Sequence, residues 1–145
     1  MTKNSVTITI KNELPAIKIV IKKFKDFMRR HHKAAPIINK MNIVIDEILN
    51  NIISYAFSDK EEHYIDIEFS LIEDKLKIAF IDDGIPFNQL DVPSPDITLS
   101  LEKRGIGGNG IHIVRETMDE ANYQRNIDKN IITFTKRVIS KDLKQ

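Results

Sequence analysis

Cysteine is absent from this chain of 145 residues. That excludes disulfides, thiol nucleophiles and thiolate metal sites together, and it suits a reducing compartment. Neither sign of charge is in excess: 22 basic residues stand against 21 acidic ones, a formal net charge of +1. A nucleic-acid-binding domain usually carries a clear basic surplus, so this balance calls for no nucleic-acid partner. No apolar run approaches the roughly 18 residues that cross a bilayer, and the N-terminus has no signal-peptide pattern. The expectation is a cytoplasmic chain without a membrane partner. The four histidines include two adjacent ones in a basic stretch and offer no ligand cluster for a metallohydrolase. Glycine is scarce as well. There are five, and four of them fall within the six positions from Gly105 to Gly110.

What remains is ordinary for a soluble globular domain, with 41% hydrophobic and 30% charged residues. We expect residues 1–145 to form one domain, with no internal repeat, low-complexity segment or linker. Val6-Thr7-Ile8-Thr9-Ile10 alternates apolar and polar residues and reads as a strand buried on one face. From about Glu13 to Lys33 the period becomes helical, with Ile17, Ile21, Phe24 and Met28 on one face. Lys18, Lys22, Lys25 and Arg29 repeat that spacing one position on. Between residues 11 and 33 eight basic residues face two acids, which reads either as a solvated face or as a docking surface for an acidic partner.

A second helix is expected from about Ile37 to Phe57, with a wide apolar stripe that includes Ile45, Ile48, Leu49 and Ile52. A hairpin follows, its strands Tyr64–Leu71 and Lys75–Ile81 turning at Glu73-Asp74. Residues 88–104 read as a long loop, which is more often functional than idle. The glycine stretch then opens a helix through about Met118, with Ile111, Val114 and Met118 inside. A last hairpin turns near Asp128-Lys129-Asn130. This order predicts an α+β fold: a mixed, mainly antiparallel sheet covered on one face by helices.

Three pieces carry chemistry. Glu47 and Asn51 lie four apart, on one helix face within a buried stripe, where an acid is rare unless paired or working. Asn51 offers a hard neutral oxygen of the kind Mg²⁺ accepts, and Glu47 could take a proton from a hydroxyl near a γ-phosphate. Asp82, at a strand end, could accept a hydrogen bond from the exocyclic amine of adenine, and Gly84 would let a base lie close to the backbone. The loop Gly105-x-Gly107-Gly108-x-Gly110 opens a helix whose unpaired N–H groups and positive dipole suit a phosphate chain. Singly, each has a plainer reading: a core acid paired with a lysine, a turn aspartate, a flexible loop.

Together, Glu47-x-x-x-Asn51, Asp82-x-Gly84-x-Pro86-Phe87 and Gly105-x-Gly107-Gly108-x-Gly110-Ile111-His112-x-Val114-Arg115 resemble the three ATP-binding boxes of the GHKL superfamily, which has the Bergerat, histidine-kinase-like ATPase fold. Within it the chain is most similar to bacterial anti-sigma-factor serine/threonine kinases. Met118-Asp119-Glu120, Tyr123-x-Arg125 and Asn130-Ile131-Ile132-Thr133 share that likeness. The resemblance implies Glu47 as general base, Asn51 as Mg²⁺ ligand, and Asp82 with Gly84 at the adenine. It implies an ATP lid over about 88–109, with Gly105, Gly107, Gly108, Gly110 and Ile111 along the triphosphate and Arg104 as a phosphate contact. Thr133 stands where the superfamily often supports adenine through a water. Asn88 departs from the subfamily's usual aspartate, and Asn109 from a larger apolar residue.

What the resemblance implies is an ATP- and Mg²⁺-dependent serine/threonine kinase acting as an anti-sigma factor. Its substrate would be a serine on a STAS-type anti-anti-sigma antagonist, it would hold a sigma factor or other effector, and it would commonly dimerise. A nucleotide-gated partner-binding module with little or no phosphoryl transfer is the alternative. A histidine-kinase catalytic domain acting on another chain is a third reading.

Overall fold

The computed structural model describes residues 4–91 and 108–138. Strand β1 (Asn4–Lys11) leads through a short 3₁₀ turn, Leu14–Ala16, into helix α1 (Ile17–Arg30). Helix α2 (Ala35–Tyr55) follows, then strands β2 (Tyr64–Ile72) and β3 (Lys75–Asp82). Beyond a 3₁₀ turn at Gln89–Asp91 come helix α3 (Gly108–Thr117) and strands β4 (Glu120–Asn126) and β5 (Lys129–Arg137). The sheet order is β1-β2-β3-β5-β4. All four pairings are antiparallel, so the expected mixture of directions is absent among the described strands.

The two-residue period of each strand decides which side meets the helices. Ile8 and Ile10, Ile65, Ile67 and Phe69, Leu76, Ile78 and Phe80, and Ile132 and Phe134 are buried on one face. From the helices come Val20, Phe24 and Phe27, then Val44, Ile45, Ile48 and Ile52, then Ile111 and Val114. Phe69 is central to this layer, with its ring centroid 5.0 Å from that of Phe24 and 6.0 Å from that of Phe27. Each fully buried side chain of this size contributes about 2–3 kcal/mol by its removal from water.

Helix α1 starts four residues later than its apolar spacing suggests, because Pro15 sits in the preceding 3₁₀ turn. Pro36 stands inside the first turn of α2, where its missing N–H costs nothing. The basic stripe of α1 is thinner than the sequence implies. Lys18, Lys22 and Arg29 are exposed, but Lys25 is half-buried and Lys22 pairs with Asp26 at 3.6 Å. Lys33 is buried, with its ammonium 3.5 Å from Asp74 in the β2–β3 turn. Its charge therefore serves the junction between helix and hairpin and is withdrawn from any docking face. The last hairpin turns at Ile127-Asp128, since Asn126 pairs with Lys129 in the ladder. No described helix is long and apolar enough to cross a membrane.

Candidate nucleotide-binding site

Helix α2 forms one wall of the site. One turn separates Glu47 from Asn51, and the Asn51 side-chain amide donates from Nδ2 to Glu47 Oε2 at 2.9 Å. The same Nδ2 donates to Gln89 Oε1, also at 2.9 Å. Both described hydrogen bonds of this amide use its nitrogen, and no described residue donates to its Oδ1. Asn50 is turned elsewhere, donating to the backbone oxygen of Asp46 at 2.8 Å. The helix thus presents Asn51 and not its neighbour.

The N-terminal turn of α3 closes on this pair. A methyl group at Gly110 would lie 2.0 Å from Cδ of Glu47 and 2.2–2.3 Å from its two carboxylate oxygens. The missing Cβ is what lets the carboxylate rest against the helix backbone. Gly108 opens α3. Arg104, Gly105, Gly107 and most of the expected lid lie outside the described residues. Ile111 belongs to the core, 1% exposed. Its side chain packs under the helix, so only its backbone is left to face a ligand.

At the other end of the wall, Asp82 is 3% exposed at the end of β3. Its Oδ1 accepts from the Gly84 N–H at 2.8 Å and from Asn130 Nδ2 at 2.9 Å. Burial pushes the Asp82 carboxyl above its ordinary range, opposed by those two hydrogen bonds. The loop after it is pinned to the end of α2, where Ile85 N–H donates to Ala56 O at 2.8 Å. From Glu47 to Ala56 the helix rises about 13 Å, so α2 reaches from the carboxylate–amide pair to the aspartate loop.

Gly84 is required here for space. A Cβ would sit 2.3 Å from the Ala56 carbonyl oxygen and 2.8 Å from its Cβ. Neither atom can swing aside, because one is helix backbone and the other a methyl fixed to it. Gly84→Ala is expected to cost about 3 kcal/mol and lower the melting temperature by roughly 10 °C, read by thermal denaturation. A variant melting with the wild type would show that the loop can lift off α2.

Thr133, expected near the adenine, faces the other side of the sheet. The register pairs it with Ala79 and Asn122, and it lines a shallow outer groove with Ser70, Lys77 and Thr135. Asn130 is the β5 residue that stands opposite Asp82. Residue parity places it on the helix side with Ile132 and Phe134. Around it, Tyr123 Oη donates to Asn130 Oδ1 at 2.5 Å, and Arg125 Nη1 donates to Gly84 O at 2.8 Å. Sequence reasoning gave Gln89 and Asn130 no role, although a polar residue in the buried alternation of Asn130, Ile132 and Phe134 marks the second one.

His63 ties down the flank of the aspartate loop. Its Nδ1 is 3.0 Å from Asp83 Oδ1 and its Nε2 is 2.9 Å from Asp59 Oδ1, while its ring stacks on Phe57. The hydrogen bond to Asp59 raises the imidazole pKa most; burial opposes it, and the hydrogen bond to Asp83 adds to the rise. A raised folded value means stability that is complete below the ordinary imidazole pKa of about 6.5 and lost as pH rises through the folded one. Asp59 is lowered, chiefly by the Glu61 backbone N–H and then by His63, so its share is lost instead as pH falls into the carboxylate range. Melting temperature should therefore slope gently downward above about pH 6.5, and His63→Gln should flatten that limb. The effect stays small because solvent screens the cluster.

The histidine kinase-like ATPase domain family matches residues 10–136. Serine/threonine-protein kinase BtrW of Bordetella bronchiseptica is 28% identical over 95 residues, 66% of this chain and 67% of that protein. Serine-protein kinase RsbW of Listeria monocytogenes is 28% identical over 87 residues, covering 57% of this chain and 55% of that protein. The chain thus matches little more than half the length of the Listeria relative. Among solved structures, the RsbU and RsbW domains of Rv1364c from Mycobacterium tuberculosis superpose with a TM-score of 0.66 at 13% identity, covering 97% of this chain and 35% of that one. The Acinetobacter baumannii histidine kinase AdeS superposes with a TM-score of 0.50 at 16% identity, over 94% of this chain and 68% of that one. With the matched family and these neighbours beside the geometry above, the chain belongs to the histidine kinase-like ATPase domain family and has the GHKL fold.

Proposed function

We propose that this chain is an ATP- and Mg²⁺-dependent serine/threonine protein kinase that acts as an anti-sigma regulator. It would phosphorylate a serine of a STAS-type anti-anti-sigma antagonist and hold a sigma factor or a similar effector, in the cytoplasm and as a homodimer. The observation that carries the reading is the Glu47 carboxylate, kept in contact with Asn51 and the α3 backbone at Gly110. A domain that only binds nucleotide has no need of an acid at that place.

The residues present fit the cation. Asn51 spends its amide nitrogen on Glu47 and Gln89, so the hard oxygen is the atom left to a metal. When bound, Mg²⁺ neutralises charge on the phosphates. Glu47 takes the proton of the attacking serine hydroxyl, and the start of α3 supplies backbone N–H groups and dipole charge to the triphosphate. Asp82 accepts from the adenine amine, with Gly84 beside it. Arg104, Gly105, Gly107 and Gly108 complete the phosphate cradle by resemblance.

Incubation with γ-labelled ATP, Mg²⁺ and candidate antagonist proteins from the same genome tests this. Acid-stable phosphoserine is the expected product. Acid-labile label would point to phosphohistidine and the histidine-kinase reading. ATP binding without label on any candidate would favour the nucleotide-gated binding module.

A further inference from the structure

We propose that Asn130 is the positioning residue for base recognition, holding one oxygen of Asp82 so that the other alone is presented to a purine amine. The inference rests on the assignment of Asp82 to the base and adds a residue on a different strand to that task.

Asn130 is 3% exposed, and every polar capacity of its side chain is used. Nδ2 donates to Asp82 Oδ1 at 2.9 Å and to the Ile85 carbonyl at 2.7 Å. Oδ1 accepts from the Phe87 N–H at 3.2 Å, from Tyr123 Oη at 2.5 Å and from Arg125 Nη1 at 3.2 Å. The amide cannot be reversed. Turning it over would set its oxygen against a carboxylate and a carbonyl, and its NH₂ against three donors.

The consequence falls on Asp82. Its Oδ1 already accepts two hydrogen bonds, from Asn130 and from the Gly84 N–H. No described residue donates to Oδ2. Two fixed donors on one oxygen set the plane of the carboxylate, and the second oxygen remains a directed acceptor. Such an acceptor favours a 6-amino purine and opposes a 6-oxo purine, whose oxygen would face it. The same side chain anchors the loop on both sides of Pro86, through Ile85 O and Phe87 N, so the carboxylate and the loop over it are set by one group. Thr133, on the outer face, cannot share this work.

Affinities of the full chain for ATP and for ITP, which differ at the 6-position, test the proposal by calorimetric titration. The wild type is expected to prefer ATP. In Asn130→Ala that preference should fall by about tenfold or more, the scale of a hydrogen bond to a charged group, while ITP affinity changes much less. Asn130→Ser, smaller but still able to donate to Asp82, should recover part of the preference and serves if the alanine variant fails to fold. Tyr123→Phe leaves two donors on Asn130 Oδ1 and should alter stability without moving the ATP-to-ITP ratio. Equal losses for both nucleotides in the Asn130 variants would assign the residue to structure only and overturn the inference. A wild type that binds ATP and ITP alike would instead overturn the role of Asp82, and this inference with it.

Discussion

Gly110→Ala is expected to reduce phosphoryl transfer by about a hundredfold or more while leaving the fold nearly as stable as before. The new methyl would stand 2.0 Å from the Glu47 carboxylate carbon, where nothing can stay. The obstructing group is the free end of a flexible side chain, so it yields by rotating away. That motion breaks the 2.9 Å hydrogen bond from Asn51 and takes the proposed base out of position. The loss is about 1.5–3 kcal/mol for a hydrogen bond to a charged group. Alanine inside α3 returns up to about 1 kcal/mol relative to glycine. The difference amounts to a few degrees in melting temperature. Gly84→Ala is the opposite case, because there the obstruction is the carbonyl of Ala56 and the cost falls on folding. Transfer assays and thermal melts on the two variants should therefore separate cleanly. Wild-type transfer by Gly110→Ala would show that Glu47 works from another rotamer.

The parts of this fold that were legible in sequence are those where one period dominates. Alternation identified β1, β2 and β3, and the turn at Glu73-Asp74 stands where expected, with Glu73 in the left-handed region at φ 55°. The spacing of Glu47 and Asn51 placed both on one helix face, and the described hydrogen bond joins them. The second half of the chain reads less well because side-chain partners far apart in sequence decide it. Asp128, Lys129 and Asn130 look like turn residues by composition. Asn130 is instead drawn into β5 by Asp82, 48 residues away, and the turn moves back onto Ile127. Ile127 then takes φ 59°, a conformation β-branched residues seldom adopt, and is 90% exposed. The same shift explains Thr133. A motif position carries no parity, and in a strand one residue of offset exchanges the site face for the outer face. Gln89 was hidden for another reason: its link to Asn51 spans 38 residues, and the loop that carries it has no period to read.

Glu47→Gln separates binding from chemistry. Glutamine keeps the length of the side chain and an oxygen that can still accept from Asn51 Nδ2, so the helix face and the orientation of Asn51 should be unchanged. Stability and ATP affinity are expected to stay within about threefold of the wild type, since no lone charge or cavity is created. What is lost is the capacity to take a proton. On the proposed mechanism the serine hydroxyl must then attack with its proton still in place, and transfer should fall by about 10²–10⁴-fold. The readout is acid-stable label on the antagonist protein, with ATP binding measured on the same sample. Undiminished label would mean that Glu47 is not the base and that its place beside Gly110 is structural. Label and ATP binding lost together would mean that the carboxylate organises the nucleotide pocket. Only loss of label with binding retained assigns the proton to Glu47, and that result would also make the nucleotide-gated binding module untenable, because a variant that binds ATP normally would have lost a reaction the wild type performs.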